Sequence, residues 1–164
     1  MLRTAAALAP AGVEAVLYGE ILELPHFTPD DDAEGAAVPE PVARMRAAMH
    51  SADALLICTP EYAGALPAVL KNLLEWTIGD ASTYRKPVAW INASSPAAPT
   101  GGADAHDSLA KVLRYAHADI ADEACIRLEL TRHQVGASGL VEDPSARAAI
   151  GGALAALVAH AREE

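Results

Sequence analysis

The chain has 164 residues, 52% of them hydrophobic, and a formal net charge of −10. That length supports one domain with a proper core, so residues 1–164 read as a single domain. No apolar run reaches the ~20 residues that cross a bilayer, and no basic patch is present, which argues against membrane and nucleic acid as partners.

The start, Met1-Leu2-Arg3-Thr4, has neither the apolar segment nor the cleavage site of a secretory signal. Leu2 to Leu8 is Ala-rich and closed by Pro10 and Gly12, and reads as the end of a helix. Val13 to Tyr18 reads as a short strand. Glu23 to Pro41 is a long acidic loop punctuated by prolines. Its Asp30-Asp31-Asp32 and Glu34 lack the spacing and glycine of a calcium loop, so they read as solvated. Val42 to His50 repeats apolar residues at helical spacing.

Asp53-Ala54-Leu55-Leu56-Ile57-Cys58 is apolar without alternation, as in a parallel strand buried on both faces. After it, Leu66, Val69, Leu70, Leu73 and Leu74 recur at helical spacing, and Pro67 suits a first helical turn. Pro60 to Gly64 is therefore a loop at the carboxyl end of a buried strand, the place where open α/β sheets bind ligands. Val88 to Asn92 is a second buried strand, opening into Ser94, Ser95, Pro96 and then Gly101-Gly102. Asp104 to His117 reads as a helix and Ala124 to Leu128 as the last strand. Gly136 to Asp143 reads as a loop and Ser145 to Arg162 as a closing helix. Strands alternating with helices predict a doubly wound parallel sheet in three α/β/α layers.

Cys58 and Cys125 stand in separate apolar runs and form no C-x-x-C pair, so they read as buried thiols of a cytoplasmic protein. The six histidines show no close ligand pair, so no metal is expected.

The ordered set Pro60-Glu61-Tyr62-Ala63-Gly64, Pro67, Leu70-Lys71-Asn72 and Trp76 resembles the loop–helix signature of the NADPH-dependent FMN reductases. These are flavodoxin-like flavin and quinone reductases. The family pattern has Asn where this chain has Ala63. The resemblance implies FMN as cofactor, NAD(P)H as co-substrate and a small-molecule electron acceptor such as a quinone or second flavin. It implies flavin contacts at Pro60, Glu61, Tyr62, Ala63, Gly64, Ser94, Ser95, Gly101 and Gly102, with Tyr62 along the isoalloxazine. No catalytic acid, base or nucleophile is required, because the flavin carries the chemistry. Association as a homodimer or homotetramer is also implied.

The family opens with a strand and a Gly-Ser-x-Arg loop that cradles the FMN phosphate. Residues 1–8 read instead as the back half of the helix after that loop. The expectation is a flavodoxin-like domain with its first strand missing, the given start being internal to a longer product. A flavin-free protein of the same fold, either a decayed paralogue or a partner subunit that binds only protein, is the alternative.

Overall fold

A computed structural model gives the structure of residues 1–163. Its centre is β2 (Pro87–Ser94), in which Val88, Ala89, Trp90, Ile91 and Asn92 are all buried. A strand with both faces covered has no use for alternation, which is why its sequence is a continuous apolar run. β1 (Leu55–Pro60) lies parallel to it on one edge, with Leu55 opposite Val88 and Pro60 opposite Ala93. On the other edge two short strands share one lane. β3 (Asp119–Ile120) pairs with Pro87 and Val88, and β4 (Ile126–Glu129) pairs with Ile91 through Ser94. A turn at Asp122–Ala124 separates them.

The two-residue period of the strands divides the core. Val88 and Trp90 face one layer, built from α2 (Glu40–Ser51), α3 (Ala68–Glu75) and α4 (Ala103–Tyr115). Ala89 and Ile91 face the other side, where α1 (Leu2–Ala7) and α5 (Pro144–His160) bring Ala5, Ile150, Ala153 and Leu157. The result is the expected three-layer, flavodoxin-like α/β arrangement. No helix among the described residues is long and apolar enough to cross a membrane.

Three expectations need correction. Val13 to Tyr18 is not a strand. Extended chain becomes a strand only by sharing a ladder, and β1 pairs with β2 alone among the described residues. Val16 and Leu17 are 80% and 49% exposed, while Tyr18 tucks against the α2–α4 layer. The last predicted strand, Ala124 to Leu128, is shifted to Ile126–Glu129, because Asp122 to Ala124 forms a 3₁₀ turn.

The acidic loop is not uniformly solvated either. Asp32 is 9% exposed at its side chain and accepts a bond from Arg46 Nη2 at 2.7 Å. Arg46 also donates to the Trp76 carbonyl from Nε and Nη2, at 2.9 and 2.6 Å. A buried carboxylate requires such a partner. The signature residues of α3 hold the same segment. Asn72 Nδ2 and Trp76 Nε1 both donate to the Pro25 carbonyl, and Phe27 N–H donates to Asn72 Oδ1, with Phe27 edge-on to the Trp76 ring. In this fold Asn72 and Trp76 are anchors for the loop that crosses their helix.

Candidate functional site at the carboxyl ends of β1 and β2

Pro60 ends β1 and Ser94 ends β2, so the two predicted loops leave the sheet side by side. The first is a tight hairpin. Tyr62 and Ala65 exchange both main-chain hydrogen bonds, at 3.0 and 3.2 Å. Ala63 and Gly64 between them have φ of 52° and 71°. Two successive left-handed residues define a type I′ turn, for which Asn-Gly is the favoured pair. The asparagine of the family pattern thus has a backbone reason, since Asn tolerates this region better than Ala. Tyr62 projects from the turn and is 65% exposed.

The second loop ends in Thr100-Gly101-Gly102 before α4. Gly101 and Gly102 have φ of 59° and 80°. Gly102 is the cap residue of α4 but has no side chain with which to cap it. A Cβ there would lie 1.9 Å from Asn92 Oδ1 and 3.6 Å from Ser94 Cβ. Asn92 is fully buried beneath this turn, and neither atom of its amide finds a hydrogen-bond partner among the described residues. Ser95 sits farther out, where its carbonyl closes a turn to Ala98.

Glu61 joins the two loops. Its Oε1 accepts from the Thr100 hydroxyl at 2.6 Å and its Oε2 from the Ala105 N–H at 3.1 Å. The Thr100 oxygen in turn accepts from the Gly102 N–H at 3.2 Å. The Thr100 hydroxyl, then the backbone N–H groups of Ala105 and Asp104, hold the Glu61 carboxyl below the ordinary carboxylate value. A second tie lies further along, where Leu66 N–H donates to Ser108 Oγ on α4 at 2.9 Å. Arg127, opposite Asn92 on β4, extends Nη1 to 3.5 Å from the Thr100 carbonyl. Below the loops, Trp90 Nε1–H donates to His106 Nδ1 at 2.9 Å, which leaves that nitrogen unprotonated, and burial pushes the His106 pKa down.

The structure therefore gathers Pro60, Glu61, Tyr62, Ala63 and Gly64 with Ser94, Gly101 and Gly102 in one wall at the carboxyl end of the sheet, with Ser95 at its outer rim. Sequence reading missed Asn92, Thr100 and Ser108. A polar residue closing an otherwise apolar strand run was the available signal for Asn92. Thr100 and Ser108 gave none, because their partners lie 39 and 42 residues away. A separate cleft of about 420 Å³ is lined by Met1, Leu2, Arg3, Cys58 and Gly139, none of them among the predicted flavin contacts. Cys58 and Cys125 are half-buried, and burial pushes both thiols up to about 11.

The family model for "NADPH-dependent FMN reductase" matches residues 1–126. The chain is 40% identical over 97 residues to the NADH:(hydroxy)cinnamate reductase subunit CrdA of Vibrio ruber, a match covering 58% of this chain and 46% of that protein. So the chain spans about half the length of that relative. It is 31% identical over 144 residues to a quinone reductase of Pseudomonas putida, covering 86% of this chain and 72% of the other. Among solved structures it is similar to FerB, a flavoenzyme NAD(P)H:(acceptor) oxidoreductase from Paracoccus denitrificans. There the TM-score is 0.83 at 27% identity, with 99% of this chain and 87% of that one covered. With a type I′ turn after one parallel strand, a Gly-Gly turn after the next and a family match over most of its length, the chain belongs to the NADPH-dependent FMN reductase family.

Proposed function

We propose that this chain is an FMN-dependent NAD(P)H oxidoreductase that passes hydride or electrons to a small acceptor such as a quinone or a second flavin. The observation that carries it is the joined wall of Pro60–Gly64 and Ser94–Gly102 at the carboxyl ends of adjacent parallel strands. This is where open α/β sheets take a ligand. The wall fits the edge of a planar ring. Ala63-Gly64 and Gly101-Gly102 both turn in the left-handed region, so backbone is presented there without bulky side chains. The unpartnered Asn92 amide lies directly behind Gly102.

In this reading Pro60, Glu61, Tyr62, Ala63, Gly64, Ser94, Ser95, Gly101 and Gly102 form the flavin contacts or shape them. Bound FMN would supply the two-electron chemistry, taking hydride from NAD(P)H and returning electrons to the acceptor. The protein's share is binding and orientation. Tyr62 offers an exposed aromatic face to the ring. Glu61 accepts from the Thr100 hydroxyl and the Ala105 N–H, which hold its carboxyl below the ordinary carboxylate value, so its part is structural. The chain functions as a single cytoplasmic domain, and it associates as a homodimer or homotetramer through two-fold contacts.

Titration of FMN and riboflavin followed by flavin fluorescence tests this, with NAD(P)H oxidation measured against a quinone. Tyr62→Ala should weaken flavin binding roughly three- to tenfold, the worth of an aromatic contact. Glu75→Ala, on α3 and paired with Lys71, should leave it unchanged. No flavin binding at all would refute the reading. Light scattering that returns only the monomer mass at micromolar concentration would refute the assembly.

A further inference from the structure

We infer that Glu61 is a positioning residue of the flavin site, capping α4 from a neighbouring loop and thereby fixing the separation of the two ring-side loops. The inference rests on the flavin reading given above and adds to it the element that sets the width of the wall.

A helix begins with backbone N–H groups that have no partner inside it. Most helices meet them with a Ser, Thr, Asp or Asn at the cap position. α4 has Gly102 there, and the close approach to Asn92 leaves no room for any side chain. The missing acceptor comes from Glu61, 44 residues earlier in the chain, whose Oε2 takes the Ala105 N–H. A carboxylate also suits the positive end of the helix dipole. The other oxygen takes the Thr100 hydroxyl, and Thr100 passes the constraint to Gly102. One side chain thus ties the hairpin after β1 to the last turn of the loop after β2 and to the first turn of α4. At that helix end the N–H groups of Ala103, Ala105 and His106 are occupied by the Thr100 carbonyl, Glu61 and the Gly102 carbonyl, so the wall presents a set shape to a ligand. The other ionisable groups on the surrounding elements are Tyr62 of the hairpin, Asp104, His106, Asp107, Lys111, Arg114 and Tyr115 of α4, and Arg127 and Glu129 of β4.

Three variants separate this role from simple stability. Glu61→Leu keeps bulk and removes both acceptors. Glu61→Gln can still accept from Ala105 and donate to Thr100, so it keeps the contacts without the charge. Thr100→Val removes one donor. Riboflavin is the probe, because it lacks the phosphate whose own titration would intrude.

Glu61→Leu should raise the riboflavin dissociation constant about fivefold to tenfold, the scale of a lost helix cap. Amide exchange at Ala105 should accelerate by a similar factor, with exchange in α5 unchanged. Glu61→Gln should restore most of the affinity. The unaltered protein should lose affinity only as pH falls below the ordinary carboxylate range, and Glu61→Gln should lack that part of the profile while retaining Asp104, His106 and Arg127. In Thr100→Val the acid limb should move upward, because Thr100 is the largest influence holding the carboxyl down; this arm decides the matter should Glu61→Leu fail to fold.

Riboflavin binding and Ala105 exchange unchanged in Glu61→Leu would overturn the inference while leaving the flavin reading intact. Absence of riboflavin and FMN binding by the unaltered protein would overturn the flavin reading, and with it the flavin role of Glu61.

Discussion

Gly102 stands over Asn92 so closely that a Cβ on the glycine would lie 1.9 Å from the Asn92 amide oxygen. The start of α4 therefore sets bare backbone against the Asn92 side chain at the buried end of β2. Gly102→Ala should destabilise the protein by roughly 1–2 kcal/mol from left-handed backbone alone, with more from displacing Asn92. Urea denaturation checks this. Adding Asn92→Ala should recover the contact part and leave the backbone part.

Ala63 presents the converse case, an L-residue with a side chain at φ 52° in a turn that favours asparagine. Ala63→Asn or Ala63→Gly should raise stability by about 0.5–1 kcal/mol, read as a higher urea midpoint at constant slope.

Arg46 binds Asp32 and the Trp76 carbonyl in a site where both charged side chains are nearly covered. Arg46→Met should lower stability by roughly 3 kcal/mol, since it strands the Asp32 carboxylate. Adding Asp32→Leu should restore much of the loss. Thermal unfolding of the four-member cycle measures the coupling.

Burial raises the thiols of Cys58 and Cys125 from 9.0 to about 11 in the folded state. Both should resist iodoacetamide at pH 8 in the native protein and react readily in urea, because the thiolate is the nucleophile. The sign for stability follows. Between pH 9 and 11 the unfolded chain holds fewer thiol protons than the folded one, so the thiol contribution is complete below pH 9 and is lost as pH rises toward 11. Urea midpoints of the protein and of a Cys58→Ala, Cys125→Ala variant should converge over that interval.

Much of this architecture was legible. The runs at Leu55–Cys58 and Val88–Asn92 both read as parallel strands and are so. Only the second is covered on both faces, since β1 pairs with β2 alone among the described residues and Leu55–Cys58 are half-buried. The helical spacing of Leu70, Leu73 and Leu74 fixed the face that α3 buries. Val13 to Tyr18 has the composition of a strand, yet pairing depends on a neighbour that composition cannot supply. The position of the candidate site, at the carboxyl ends of β1 and β2, was readable from the loop after β1. Its internal wiring was not, since Glu61 acts through Thr100 and Ala105, far along the chain. Asp32 was misjudged for the same reason, because Arg46 arrives from another element.

The lane shared by β3 and β4 bears on behaviour at high concentration. A long, flat outer edge is a template for strands of other molecules. This edge offers two residues, then a 3₁₀ turn, then four more whose exposed positions carry Arg127 and Glu129. A foreign strand docking there would lose register at the turn and bring its side chains against charges of both signs. The interruption that misaligned the last strand in the sequence reading is thus a built-in deterrent to edge-on aggregation.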